Sequence, residues 1–385
     1  MLNKIIFFLL FCSFAYAQTN PIDVSYNGSV THPDVIYFED STGEADGYNY
    51  WMVHTPFPPD TVEFPWITRS TDGINWDDTT GLTNPVINNT NEAYGNFSGT
   101  QWKFDADPDL LYIKQYDKWF MVWGPRVSGT AGTWSRKEVL AFAYSSDGKT
   151  WTQYDGETIN GNTNPVILSG NDSNGAAWER YTTLNNSHTQ YPTCIFTEDY
   201  VFECWYGTTS VGGCSQTNNV SPVGRFTFQW DNVTNDIINL ARDSNNPIFT
   251  PPATETFCEG VGHLDVTVDN NGKYHLYAVR VKSADSRNSI WHFTSPDGIN
   301  WDSGEEIIPV GASTYDYTLY RPTVIHDGTG RQVLLNNKPQ VIYGGFNNGA
   351  SQGRLHIKDI SNFGVSPTFR KHNRQTIKRF GAKIK

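Results

Sequence analysis

Three short segments of this chain are near copies of one another, and their spacing limits the folds available. Ser70-Thr71-Asp72-Gly73-Ile74-Asn75-Trp76 recurs as Ser145-Ser146-Asp147-Gly148-Lys149-Thr150-Trp151 and as Ser295-Pro296-Asp297-Gly298-Ile299-Asn300-Trp301. Asp72 and Asp147 are 75 residues apart, and Asp147 and Asp297 are 150 apart, twice that period. The diverged turn around Gln229-Trp230-Asp231 stands where the intermediate copy is expected. An Asp-Gly pair between apolar runs marks a tight hairpin, because Gly accepts the positive φ such turns require. Turn chemistry accounts for these three Asp residues without any catalytic role.

A second repeat precedes each hairpin. Its copies are His32-Pro33-Asp34-Val35, Asp107-Pro108-Asp109-Leu110, Tyr191-Pro192-Thr193-Cys194, His263-Leu264-Asp265-Val266 and Arg321-Pro322-Thr323-Val324. Each is followed by a strand-like run: Tyr50–Val53, Trp119–Val122, Val201–Trp205, Tyr274–Tyr277 and Gln332–Leu335. A large supersecondary unit repeated in this way predicts an all-β, five-bladed β-propeller, each blade a four-stranded antiparallel sheet. Pro suits the first residue of a strand, where the ladder asks no hydrogen bond of its nitrogen. The copies therefore read as the starts of the innermost strands, converging on one axial funnel.

Composition agrees: aromatic residues reach 14% while charged residues total only 18%, a mixture suited to short packed strands rather than helices. Lys4, the apolar run Ile5–Phe11 and Ala15-Tyr16-Ala17 form an export signal, so the mature chain is expected to begin near Gln18 in a secreted or periplasmic location. The apolar run is shorter than the roughly 20 residues that span a bilayer, and no membrane anchor is expected. The propeller domain is expected over 18–369. The remainder, 370–385, is a basic tail with seven of the 28 Lys and Arg residues and no carboxylate. The body is correspondingly acidic, without a basic stripe, which excludes nucleic acid as its ligand. Cys194, Cys204, Cys214 and Cys258 remain after processing, in a compartment where disulfides persist. Cys194 and Cys204 are placed to face each other across a hairpin, but the sequence does not choose among the three pairings that four cysteines allow.

The superposed strand starts bring His32, Asp34, Asp107, Asp109, Tyr191, His263, Asp265 and Arg321 to the funnel. Several carboxylates aimed at one axis repel and lose hydration, a cost retained where charge does chemistry or binds a ligand. Cleaving a glycosidic bond needs one carboxyl kept protonated and another ionised, and Arg321 with two His residues would split the pKa values of such a pair. Trp102, Trp123, Trp178 and Tyr181 are candidate faces for stacking sugar rings.

The five-blade pattern, with Asp at innermost strand starts and the Ser-x-Asp-Gly-x-x-Trp turn, resembles the five-bladed propeller glycosidases, including glycoside hydrolase families 43, 32 and 117. The resemblance implies a hydrolase acting on plant or algal poly- or oligosaccharides. It implies an Asp in blade one as base or nucleophile, an Asp in blade two that tunes it, and a Glu as acid. Asp109, after Pro108, matches the tuning position; at the base position the chain has His32, with Asp34 the nearest carboxylate, and Gln190 stands at the family-43 acid position. The expected set is Asp34 as base, Asp109 as tuner, Glu259 as acid with Glu179 and Glu203 as alternatives, and His32, Asp107, Tyr191, His263, Asp265 and Arg321 on substrate. No cofactor is required, and calcium is the candidate cation for the axial channel. A propeller that binds glycan without turnover is the alternative reading, which the departures from the family-43 pattern favour.

Overall fold

The computed structural model describes residues 22–24, 29–57, 62–87, 103–128, 136–156, 189–208, 221–254, 260–282, 287–311, 317–347 and 353–360, with short pieces at 158–159, 162–163, 166–168, 177–181 and 186–187. It is an all-β, five-bladed propeller. Blade one runs Ser29–Tyr37, Tyr50–Phe57 and Trp66–Ser70; blade two Lys103–Ile113, Lys118–Ser128, Leu140–Ser145 and Thr152–Gln153. Blade three runs Gln190–Phe196, Phe202–Gly207, Val223–Asp231 and Asp236–Arg242; blade four Gly262–Val268, Tyr274–Val281, Asn288–Ser295 and Glu305–Ile308; blade five Thr318–Val324, Gln340–Phe346 and Gly353–Asp359. The sheets of blades one and five thus carry three strands rather than the expected four. The second strand of blade five is Gln340–Phe346, not Gln332–Leu335, which makes only isolated bridges such as Gln332 with His326.

The core is not one mass but five apolar layers, one between each pair of neighbouring blades. Trp51, Trp119 and Trp123 fill the layer between blades one and two, and Phe120, Phe142, Phe202 and Phe228 the next. Trp205 with Leu264 and Leu276 fills the third, Tyr277 with Leu319 and Tyr343 the fourth, and Met52 with Ile342 and Leu355 closes the ring between blades five and one. The repeated turns serve these layers. Asp72, Asp147 and Asp297 each accept the backbone N–H groups two and three residues on, and Ser70, Ser145 and Ser295 donate to them. Gly148 and Gly298 have φ of 69° and 72°, and a Cβ on either would lie 2.8 Å from Trp51 or Trp205 of the adjoining blade. Glycine is therefore needed twice over, for the turn and for the approach of the Trp ring. Among the described residues no helix is long and apolar enough to cross a membrane.

Candidate active site

Every innermost strand carries a β-bulge at its repeated motif. The pairing register shifts between Thr31 and Asp34, Ala106 and Asp109, Gln190 and Thr193, Gly262 and Asp265, and Tyr320 and Pro322. At four of these bulges the first extra residue is left-handed without being glycine: His32 at φ 52°, Asp107 at 54°, Tyr191 at 56° and His263 at 44°. Such a conformation costs of order 1 kcal/mol or more for a residue with a Cβ, and it recurs where a side chain must be re-aimed. In a regular strand, residues two apart share a face. The bulge breaks that rule, and the residues on either side of each proline position separate into two layers.

The deeper layer is a belt that ties the blades together. Asp34 Oδ2 accepts the Leu110 N–H of blade two at 2.6 Å, and Asp109 Oδ2 accepts the Cys194 N–H of blade three at 3.0 Å. Thr193 Oγ1 accepts the Val266 N–H of blade four at 3.0 Å, and Asp265 Oδ2 accepts the Val324 N–H of blade five at 2.7 Å. The Thr323 hydroxyl donates to Asp34 Oδ1 at 2.8 Å and completes the circuit. His326 Nε2 lies 3.4 Å from Asp34 Oδ1, while the Gly328 N–H donates to its Nδ1, so Nε2 carries the proton that faces the carboxylate. Burial disfavours the Asp34 anion, but His326 and the Leu110 N–H outweigh it and hold its pKa below the usual range. Burial and the Asp34 charge push Asp109 well up, and push Asp265 up to about 6. In this placement both Asp34 oxygens accept hydrogen bonds from neighbouring blades, both Asp265 oxygens are likewise engaged, and Asp109 Oδ1 lies 3.8 Å from Arg321.

The upper layer holds the residues re-aimed by the bulges. His263 Nδ1 is 2.7 Å from Asp107 Oδ1, His32 Nε2 is 3.6 Å from the same oxygen, and Arg321 Nη1 is 3.5 Å from it. The His32 and His263 rings stack at 5.3 Å, and Tyr191 and Tyr320 flank His263 at 4.2 and 4.1 Å. Burial holds the pKa of His32 down to about 3, so its imidazole is neutral. Burial opposes ionisation of Asp107 too, but His32, His263 and Arg321 outweigh it and keep it an anion. His32 Nδ1 lies 2.7 Å from the Thr55 hydroxyl, a contact in which either partner can donate, and its Nε2 is buried with no hydrogen-bond partner, 3.6 Å from Asp107 Oδ1.

A neutral imidazole oriented by a hydroxyl, with its other nitrogen unsatisfied beside a carboxylate, is the preparation expected of a metal ligand. Ligand atoms of His32, Asp107 and His263 all lie within 4.8 Å of one another. Neighbouring ligands around a tetrahedral ion at about 2.1 Å would sit roughly 3.4 Å apart. Two nitrogens and one carboxylate suit a borderline divalent ion such as zinc or manganese better than calcium, which prefers oxygen. The expected calcium therefore finds little support in this donor set.

The other expected residues lie elsewhere. Glu259, Trp102, Cys214 and Cys258 are outside the described residues, as are the export signal, the basic tail and the Tyr181 side chain. Glu179 is fully buried between the Tyr206 hydroxyl and Arg242, and Glu203 pairs with Arg225 at 3.0 Å and receives the Tyr274 hydroxyl of blade four. Trp123 is fully buried, donating to Asp105, and Trp178 lies on Tyr206; among the described residues the aromatic rings beside His263 are Tyr191 and Tyr320. Tyr320 escaped the sequence reading, although it directly precedes the aligned Arg321. Cys194 and Cys204 are disulfide-bonded, the pairing across the hairpin.

No protein-family model matches the chain. A curated relative, the A type blood N-acetyl-alpha-D-galactosamine deacetylase of Flavonifractor plautii, is 34% identical over 97 residues; the match spans 24% of this chain and 11% of that protein. Among solved structures, an N-acetylgalactosamine deacetylase from F. plautii, in complex with blood group B trisaccharide, superposes with a TM-score of 0.54 at 17% identity, covering 88% of this chain and 92% of that one. A thermostable family-43 glycoside hydrolase superposes with a TM-score of 0.56 at 14% identity, covering 90% and 94%. Enzymes of families 117 and 32 share the fold at TM-scores of 0.51. The fold is thus that of the five-bladed propeller glycoside hydrolases and of the deacetylase that shares it.

Proposed function

We propose that this chain is an exported, carbohydrate-processing hydrolase whose reacting centre is the His32–Asp107–His263 cluster. The observation that carries the reading is the buried Asp107 anion set between two imidazoles on left-handed bulges, with His32 Nε2 buried and without a hydrogen-bond partner. Folding needs none of these features, because the belt beneath already closes the ring. A divalent cation held by the three residues would polarise a carbonyl or lower the pKa of a water molecule. The chain's own groups do the rest: Thr55 orients the His32 ring, His32 and His263 with Arg321 keep Asp107 ionised, and Tyr191 and Tyr320 offer faces to a sugar ring.

Two bonds are candidates for cleavage. Cleavage of a glycosidic bond is supported by the fold neighbours, which are glycoside hydrolases of families 43, 117 and 32. Removal of an acyl group from an amino sugar is supported by the deacetylase relative, and by a mouth built on a single carboxylate between two His residues. Incubation with plant, algal and N-acetylated animal glycans, reading reducing ends and acetate in parallel, separates the two. Activity in either channel that chelation removes and divalent cation restores is the expected result. Binding without any turnover would leave the glycan-binding alternative instead.

A further inference from the structure

We propose that the basic segment 370–385 docks, within its own chain, into a groove at the seam where blade five meets blade one. The groove lies on the face opposite the mouth. In blade five the innermost strand starts at Thr318, in register with Phe346 and through it with Gly353, whereas Ile325, Gln340 and Asp359 line the groove at the far ends of the same strands. Its volume is about 660 Å³. Trp76 of blade one with Ile342 and Ile357 of blade five makes the floor apolar, and the carboxylates of Asp72 and Asp359 stand on the rim.

Two observations name the occupant. The first is the course of the chain. Asp359 ends the last strand of blade five, the Ile360 N–H donates to Pro339 O at 3.0 Å, and the chain passes to 361 beside the rim. Residues 361–369 span up to about 30 Å when extended, well beyond the breadth of a groove of this volume. The second is charge. The segment carries seven of the 28 Lys and Arg residues and no carboxylate, so the rest of the chain, with 21 cations against 40 Asp and Glu, bears a formal charge of −19 and attracts it. Lys338, 3.7 Å from Asp359, offsets only part of the charge on the rim. Ile377, Phe380 and Ile384 are interspersed with Lys378, Arg379 and Lys383, so apolar side chains for the floor and cations for Asp72 and Asp359 arrive together. A tethered segment acts at an effective concentration of order mM, at which weak contacts suffice.

The test uses the full chain. Carbodiimide joins a carboxylate to a lysine amine in direct contact, and peptide mass mapping of the monomer fraction locates the links. Lys371, Lys378, Lys383 or Lys385 should be joined to Asp72 or Asp359 at least about ten times more often than to Asp147 or Asp297, the equivalent turn carboxylates of blades two and four, and about 1 M salt should abolish the preference. A variant carrying Ile377→Ser, Phe380→Ser and Ile384→Ser keeps every charge of the segment and leaves the propeller sequence intact. Its backbone amides should exchange about tenfold faster than those of the wild type at 72–76 and 335–340, and at the same rate at 147–151. Equal linking to all four carboxylates, or groove amides whose exchange the triple variant leaves unchanged, overturns the proposal. Links confined to a dimer fraction overturn it too, by assigning the groove to a second copy of the chain.

Discussion

His32 and Asp34 are two residues apart, as are Asp107 with Asp109 and His263 with Asp265, yet the two members of each pair do different work. The second member closes the propeller: its oxygens accept hydrogen bonds from the backbone and side chains of neighbouring blades, and removing it would leave buried donors without acceptors. The first is held in a strained conformation, aimed at the axis, and in the case of His32 ends in an unsatisfied nitrogen. Burial does not separate the layers, since Asp34 is 1% exposed and Asp107 5%. The partners do: Asp34 and Asp265 accept hydrogen bonds from neighbouring blades through both oxygens, whereas Asp107 Oδ1 faces two imidazoles and Arg321. A carboxylate whose lone pairs are spoken for is part of the scaffold, whereas one facing imidazoles with an orphan atom nearby is equipped for a ligand.

The sharpest way to break this contrast is to remove one carboxylate from each layer. Asp34→Ala strands the Leu110 N–H, the Thr323 hydroxyl and the His326 Nε2–H together, and should cost about 3–5 kcal/mol of unfolding free energy in a denaturant titration. A loss below about 1 kcal/mol would show that the belt does not hold the ring. Asp107→Asn should instead weaken manganese or zinc binding by more than about 100-fold in calorimetric titration, with stability lowered by only about 1–2 kcal/mol. Comparable stability losses in the two variants would erase the distinction.

The belt also makes a pH-dependent prediction. Asp265 has its folded pKa raised to about 6, so the folded state holds its proton more tightly than the unfolded chain does. The stability this contributes is complete below pH 4 and is lost as pH rises through about 6. Asp265→Asn keeps an oxygen for the Val324 N–H and does not titrate. Relative to wild type, the variant should gain about 2–3 kcal/mol on going from pH 4 to pH 7. A flat difference would mean that the belt carboxylates do not repel. The smallest effect is expected at the turns: Asp72→Ala removes acceptors at an exposed loop where water can replace them, and should cost about 1 kcal/mol in the same titration.

The five strand starts were legible because the motif repeats in the same order as the hairpins, and inward-pointing Asp and His residues have no counterpart in ordinary strand openings. The two layers were not legible. Period-two reasoning puts His32 and Asp34 on one face, and the bulge that parts them is made by His, Asp and Tyr in left-handed conformations, which carry no glycine to announce them. Period-two reasoning therefore points the chemistry at Asp34 and Asp109, two residues from His32 and Asp107. The second strand of blade five was missed for a related reason. Gln332–Leu335 reads as a strand, while the true strand contains Gly344, where a Cβ would lie 3.1 Å from Thr31 Oγ1 of blade one. The close approach of blade one there favours a residue that strand propensity disfavours.

The account turns on which of two buried clusters, 34/109/265 or 32/107/263, is built to hold a ligand. Anomalous diffraction from crystals grown with manganese at neutral pH addresses that directly. The expected result is one peak within about 2.3 Å of His32 Nε2, Asp107 and His263, with the belt carboxylates still bonded to neighbouring blades. A peak among Asp34, Asp109 and Asp265, or none on the axis, would contradict the assignment.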